Sequence, residues 1–176
     1  MSRLEMVYRG RAWVFGDNIS TDHIISGKYK FGSISSLEGM LPHLFEEVIP
    51  DLHLKVRPGD IVVAGNNFGM GSSREHAPAL LKMAGISAVV AKSFARIFYR
   101  NSLNLGLPPI TVKTLPDVTE EGDIIEVNLH KGLIINLTKG MEENFRPYPP
   151  EILEIFREGG IVKYIRKHGG LPWDIK

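Results

Sequence analysis

The sequence predicts an α/β domain, a layered fold in which a mixed β-sheet is flanked by helices. Three observations lead there. Two short, wholly apolar runs, Ile61–Ala64 and Ala88–Ala91, have the character of strands buried on both faces. Each is followed by a segment of helical pattern that closes on a glycine, Gly85 and Gly106. The flanks instead carry alternation and a hairpin signature, so parallel and antiparallel pairing are both expected in one sheet.

In chain order, residues 9–15 alternate toward a strand and run into the turn signal Gly16-Asp17. Residues 16–35 lack a clean period and carry Gly16, Gly27 and Gly32, which reads as a structured loop. Residues 36–48 read as a short helix interrupted at Pro42. Arg57-Pro58-Gly59-Asp60 is a turn that feeds the strand 61–64. A glycine-rich stretch, 65–73, then gives way to a helix around 79–84. After the strand 88–91, residues 94–105 form a helix with Phe94, Ile97, Phe98 and Asn101 on one face, the aromatic and aliphatic members reading as core. Pro108-Pro109 ends that unit and 110–112 begins another strand. Glu121-Gly122-Asp123, IIEVNL, His130-Lys131-Gly132 and LIINL together read as a β-hairpin. Beyond residues 147–150 the pattern is helix, Gly159-Gly160, helix. A single domain over 1–176 is expected, with 147–176 as a C-terminal helical extension serving either the core or an interface.

A chain of 176 residues can bury a core without a disulfide or a structural metal. Its net charge of +1 gives no electrostatic reason to expect a nucleic acid or a membrane surface as partner. The apolar runs are far shorter than a membrane span, and the mixed, charged start lacks the form of a signal peptide, so a cytoplasmic location is expected. There is no cysteine, which excludes thiolate ligation of an iron–sulfur cluster, a disulfide and a thiol nucleophile on this chain. His43, His53, His130 and His168 show no metal-ligand spacing, and no metal site is expected.

Residues 65–76, GNNFGMGSSREH, are the densest chemical signal. Glycines let backbone approach a ligand closely. Ser72 and Ser73 fall near the expected helix start, where unpartnered backbone N–H groups attract anions, and Arg74 adds a planar fork matched to carboxylate or phosphate. The same residues also fit a plain strand-to-helix turn, with Ser72 or Ser73 as N-cap and Arg74 as a surface charge. Pro78 places the start of regular helix a few residues beyond Ser73. No Lys-Ser/Thr pair follows the glycines, which argues against a nucleotide-binding loop. A second cluster, GDNISTDHII at 16–25, sets Asp22 beside His23, a pair suited to a charge-assisted relay or to ordinary turn formation.

Together with AGNNFGMGSSREHAP at 64–78 and AKSFARIFYRNSLNLGLPPI at 91–110, this segment resembles the β/β/α swivelling domain of the aconitase superfamily. The resemblance covers most of residues 9–112. The length and missing cysteines are similar to the families in which this domain is a separate small subunit, the isopropylmalate dehydratase and homoaconitase type of archaeal-like character.

That resemblance implies a hydro-lyase that dehydrates and rehydrates a hydroxy-dicarboxylate or tricarboxylate, active only beside a large subunit that carries a 4Fe-4S cluster. Ser72 matches the catalytic base; Ser73, Arg74, Asp22 and His23 match substrate-binding positions. Lys28, Tyr29, Lys30 and Phe31 match a substrate-selecting loop, where Phe31 suits an apolar substituent and Lys30 a carboxylate. The resemblance implies isopropylmalate as the substrate, in leucine biosynthesis, with dimethylmalate and homoaconitase substrates as the alternatives. Arg96 and Arg100 read as structural ion pairs or partner contacts, the resemblance leaving an active-site role open, and Trp13 and Trp173 as packing or interface anchors. Two readings from other classes use the same residues, a non-catalytic carboxylate-binding module and a regulatory subunit.

Overall fold

A computed structural model describes residues 6–30, 34 and 36–174. Chain order is β1 (Val7–Val14), α1 (Thr21–Ile24), α2 (Gly27–Lys30), α3 (Leu37–Met40), a 3-10 turn (Leu41–His43), α4 (Leu52–Lys55), β2 (Ile61–Ala64), α5 (His76–Ala84), β3 (Ala88–Ala91), α6 (Arg96–Leu105), β4 (Pro109–Thr111), α7 (Leu115–Val118), β5 (Ile124–Asn128), β6 (Leu133–Asn136), β7 (Met141–Asn144), α8 (Pro150–Glu158) and α9 (Ile161–His168).

The strands form one sheet in the order β4-β3-β2-β1-β5-β6-β7. On one side of β1, strands β2, β3 and β4 pair in parallel. On the other, β5, β6 and β7 pair antiparallel. Segment length explains the division. Helices α5 and α6 supply crossovers long enough for parallel return, whereas a few turn residues join β5, β6 and β7. The mixed sheet is the one the sequence predicts, and β1 is its changeover strand.

Alternation of side chains splits the core into two layers. Val62, Ala64, Val89 and Ala91 pack with Trp13, Phe15, Phe45, Phe68, Leu80, Leu81 and Phe98. Ile61, Val63, Ala88 and Val90 face the other way, among Ile110, Ile125, Val127 and Ile134. Leu153 and Phe156 of α8 belong to this second layer, so the first helix of the C-terminal segment completes the core. From α5, Lys82 Nζ reaches the carbonyls of Leu105 (2.5 Å) and Gly159 (2.8 Å). A cation there binds the C-terminal ends of α6 and α8 together.

Asp60 closes the turn before β2 and is 3% exposed. Its carboxylate accepts from Arg11 Nη2 (2.7 Å), Arg57 N (2.9 Å) and Trp13 Nε1 (2.9 Å). Burial pushes this carboxyl up, but the donors outweigh it and hold Asp60 below the usual carboxylate range.

Three elements depart from the expectations. Phe98 is buried as predicted and Phe94 half-buried, but Ile97 is 50% exposed, because the face of α6 it occupies has no described neighbour over it. Helix α5 begins at His76 with Glu75 as N-cap and no side-chain cap, so neither Ser72 nor Ser73 caps it. Strand β7, Met-Glu-Glu-Asn, was not legible because it has neither alternation nor β-branched residues. Its Glu143 accepts from the backbone N–H groups of Lys113 (2.7 Å), Thr114 (3.1 Å) and Leu115 (2.8 Å), capping α7 from across the chain. Glu143→Ala is therefore expected to lower stability by about 1–2 kcal/mol in urea unfolding. An unchanged midpoint would show that water replaces this cap at no cost.

Candidate functional site

The three motif segments leave the carboxyl ends of β1, β2 and β3, the edge where open parallel sheets place their ligands. Backbone bonds extend the strand pairing beyond the sheet. Asn18 N donates to Asn66 O (2.7 Å), Gly69 N to Ile19 O (2.7 Å) and Thr21 N to Met70 O (2.8 Å). On the other side, Phe68 N donates to Ser93 O and Ala95 N to Phe68 O, each 2.9 Å. The first, second and third segments are thus stitched side by side. Much of their polar content serves that stitching: Asp17 accepts from Asn66, and Asn67 Nδ2 donates to Asn18 Oδ1 (3.2 Å).

Two glycines are required here. Gly69 has φ +78°, and a Cβ on it would lie 2.2 Å from the Phe98 ring. Gly71 has φ +100°, a conformation that L side chains rarely adopt. Between them they turn the chain outward and present Ser72 to solvent.

Thr21, buried to 1% exposure, holds its Oγ1 3.3 Å from Ser72 Oγ. Arg74 Nη1 pairs closely with Asp22 Oδ1 and also donates to Ile25 O (3.1 Å). The guanidinium holds Asp22 below the usual carboxylate range despite some desolvation, and Gly27 N–H adds to the effect. His23 closes a capping box on α1: its backbone N–H donates to Ser20 Oγ, and its Nδ1 accepts from Ser20 N–H at 3.0 Å. In the neutral ring the proton therefore sits on Nε2. Ser73 is exposed beside Ser72. The structure accordingly brings Ser72, Ser73, Arg74, Asp22 and His23 to one edge, with His23 engaged in folding the loop.

An open groove of about 470 Å³ adjoins Ser72, lined by Gly69, Gly71, Ala95, Arg96, Ile97 and Arg100. Among the described residues neither Arg96 nor Arg100 forms an ion pair, so the expectation of structural ion pairs is not met. Both are exposed on α6, whose partner-free face leaves their charges to solvent. Lys28 and Tyr29 turn to Glu46: Lys28 Nζ lies 3.0 Å from its carboxylate, the Tyr29 hydroxyl donates to it, and Tyr29 stacks on His43 at 3.8 Å. These contacts pin the start of the expected substrate-selecting loop. The side chain of Lys30 and all of Phe31 lie outside the described residues.

A 3-isopropylmalate dehydratase small subunit of Archaeoglobus fulgidus is 55% identical over 92% of this chain and 96% of its own length. The chain belongs to the 3-isopropylmalate dehydratase small-subunit family. The aconitase C-terminal domain model matches residues 40–115. A solved structure titled 3-isopropylmalate dehydratase, from Methanocaldococcus jannaschii, superposes with TM-score 0.83 at 41% identity, covering 93% of this chain and 96% of that one. A methanogen homoaconitase small subunit of Methanothermobacter thermautotrophicus is 47% identical over 93% of this chain and 94% of its own. The expected aconitase-type swivelling fold is therefore the fold of this small-subunit family member, and no helix among its described residues is long and apolar enough to cross a membrane.

The residues of this small-subunit family member do not fit an iron–sulfur cluster. The chain has no thiolate to offer, and among the described residues no three His, Asp or Glu side chains converge. Thr21 is the site residue that sequence reasoning passed over. A threonine next to Asp22 reads as turn chemistry, and only the crossing of two loops distant in sequence puts it against Ser72. In the assembled enzyme, Asp22→Asn is expected to raise KM by no more than roughly fivefold, because an exposed ion pair is worth about 1 kcal/mol or less. A larger rise, or a shifted melting temperature of the chain, would show that the pair does more than align Arg74.

Proposed function

We propose that this chain is the small subunit of a dehydratase that interconverts 2-isopropylmalate and 3-isopropylmalate by removing and re-adding water, a step of leucine biosynthesis. The observation that carries the reading is the Ser72 hydroxyl standing out at the carboxyl edge of the parallel strands, backed by Thr21 and flanked by Arg74. Ser72 Oγ takes the proton from the carbon beside a substrate carboxylate. The C–H electron pair becomes the double bond as the hydroxyl on the neighbouring carbon departs. The proton returns when water adds in the opposite sense. Arg74, aligned by Asp22, offers its fork to the carboxylate next to that carbon, and Ser73 lies beside it. A 4Fe-4S cluster held by the partner chain would supply Lewis-acid assistance to the departing hydroxyl.

A serine hydroxyl is a poor base in water, since it ionises far above neutral pH. Thr21 Oγ1 can donate to an oxyanion on Ser72, but α5 starts too late for its N-terminus to help directly. Ser72 is also exposed in the isolated chain, where water weakens every such contribution. The large subunit has to exclude that water, so the small subunit alone is inactive.

The experiment is an anaerobic ultraviolet assay of the product alkene, with the chain alone, its large subunit alone and both together. Turnover of isopropylmalate only in the mixture supports the reading. The homoaconitase relative names the second reading. With the isopropylmalate reading correct, kcat/KM for isopropylmalate exceeds that for longer tricarboxylates at least about tenfold, which is 1.4 kcal/mol of pocket discrimination. The reverse order would assign the chain to the homoaconitase branch.

A further inference from the structure

The Ser72 groove does not end at α6. Arg100, which forms its far wall, also lines a second groove of about 200 Å³ between α6 and α8, with Leu103, Asn104, Ile152, Ile155 and Trp173. The two grooves meet at Arg100. We infer that this face, from Arg96 and Ile97 to Trp173, is where the large subunit docks, through an acidic surface that meets the two arginines; the inference rests on the small-subunit reading above.

Size is the first argument. Arg100 lies just over one helical turn, about 6 Å, along α6 from Arg96, and the second groove lies beyond it. Ser72 lines the first groove and not the second, so the second is left for a larger occupant.

Composition is the second. Trp173 is 57% exposed and Ile97 50% exposed, beside guanidinium groups that no described residue neutralises. Exposed Trp and Arg on a concave face are the residue types that dominate binding energy at protein interfaces. Charge selects the partner. Two like charges at i and i+4 repel one another mildly, and an acidic surface relieves that repulsion. A second copy of this chain would set arginine against arginine in an isologous contact, which disfavours a homodimer through this face.

The experiment measures affinity of the purified chain for its large subunit by biolayer interferometry at low and high salt. Arg100→Glu, Trp173→Ala and Asn104→Glu are compared with the wild type, and the melting temperature of each isolated chain is recorded. Asn104 and Trp173 lie outside the groove that Ser72 lines, and Arg100, which lines both grooves, is read for affinity only. Each substitution is expected to weaken Kd at least tenfold with the melting temperature unchanged, and the loss in Arg100→Glu and Asn104→Glu shrinks as salt rises. The kcat of the Trp173→Ala and Asn104→Glu complexes at saturating large subunit stays within about twofold.

Wild-type association and turnover with all three variants binding normally would overturn the docking face and leave the dehydratase reading intact. Normal Kd with a raised KM in Arg100→Glu would overturn it as well, by making that residue a substrate contact. A wild-type chain that neither binds the large subunit nor supports turnover would overturn the small-subunit reading and the face with it.

Discussion

Ser72→Ala is expected to cut kcat of the assembled enzyme by about 10²–10⁴-fold, the range for removal of a positioned general base. KM, the melting temperature and affinity for the large subunit should change little. The side chain is exposed, caps no helix and holds together no part of the core, so its removal leaves the fold intact. Gly69 and Gly71, whose backbone conformations shape the turn, are untouched by the substitution. Thr21→Val is a graded companion. It removes the hydroxyl 3.3 Å from Ser72 Oγ while keeping its shape, and a smaller loss in kcat at unchanged KM is the expected result. Stopped-flow or steady-state ultraviolet kinetics on both variants decide the matter. Ser72→Ala retaining more than about a tenth of the wild-type rate would take the proton-transfer role away from this serine.

Asp60→Ala is expected to cost about 1–3 kcal/mol, the penalty for leaving donors around a buried carboxylate without their acceptor, since the Arg11 side chain is 32% exposed. The substitution leaves Arg11 without its carboxylate and leaves the Trp13 and Arg57 N–H groups without an acceptor, all beside the changeover strand β1. The loss falls on the scaffold and not on the chemistry. Residual folded enzyme should turn over at the wild-type rate per active complex. The pH dependence carries the same information. Asp60 is held below the usual carboxylate range in the fold, so its contribution is fully present above that range and is lost as pH falls through the depressed value. Wild-type stability should therefore decline steeply only in strong acid, and part of that decline should be absent in Asp60→Asn. Urea titrations at neutral and acidic pH measure it; an Asp60→Asn chain as acid-sensitive as the wild type would place the effect on other carboxylates.

Local pattern accounts for much of what the sequence makes legible. The apolar runs of β2 and β3, the glycines that stop α5 and α6, and the turn residues of the β5–β6 hairpin are all decided within a few residues of themselves. The resemblance supplied the site candidates, and the fold brings Ser72, Ser73, Arg74, Asp22 and His23 to one sheet edge. What stayed hidden depends on pairs distant in the chain. Glu143 caps α7 from 28 residues away at Leu115, and an acidic edge strand carries no local sign of that duty. Ile97 fits a core periodicity, yet exposure is a property of what covers a helix and not of the helix itself.

By itself the sequence determined a mixed α/β sheet, the absence of thiolate ligands and the loops in which the chemistry would lie, because backbone preference, hydrophobic period and residue inventory are local quantities. The tertiary structure alone decided that Thr21 meets Ser72, that Arg74 is already paired with Asp22, and that Arg96 and Arg100 keep their charge toward solvent. Those facts depend on three loops zipped across the carboxyl ends of parallel strands, and on which faces the packing leaves open. Both are settled only when segments dozens of residues apart come into register.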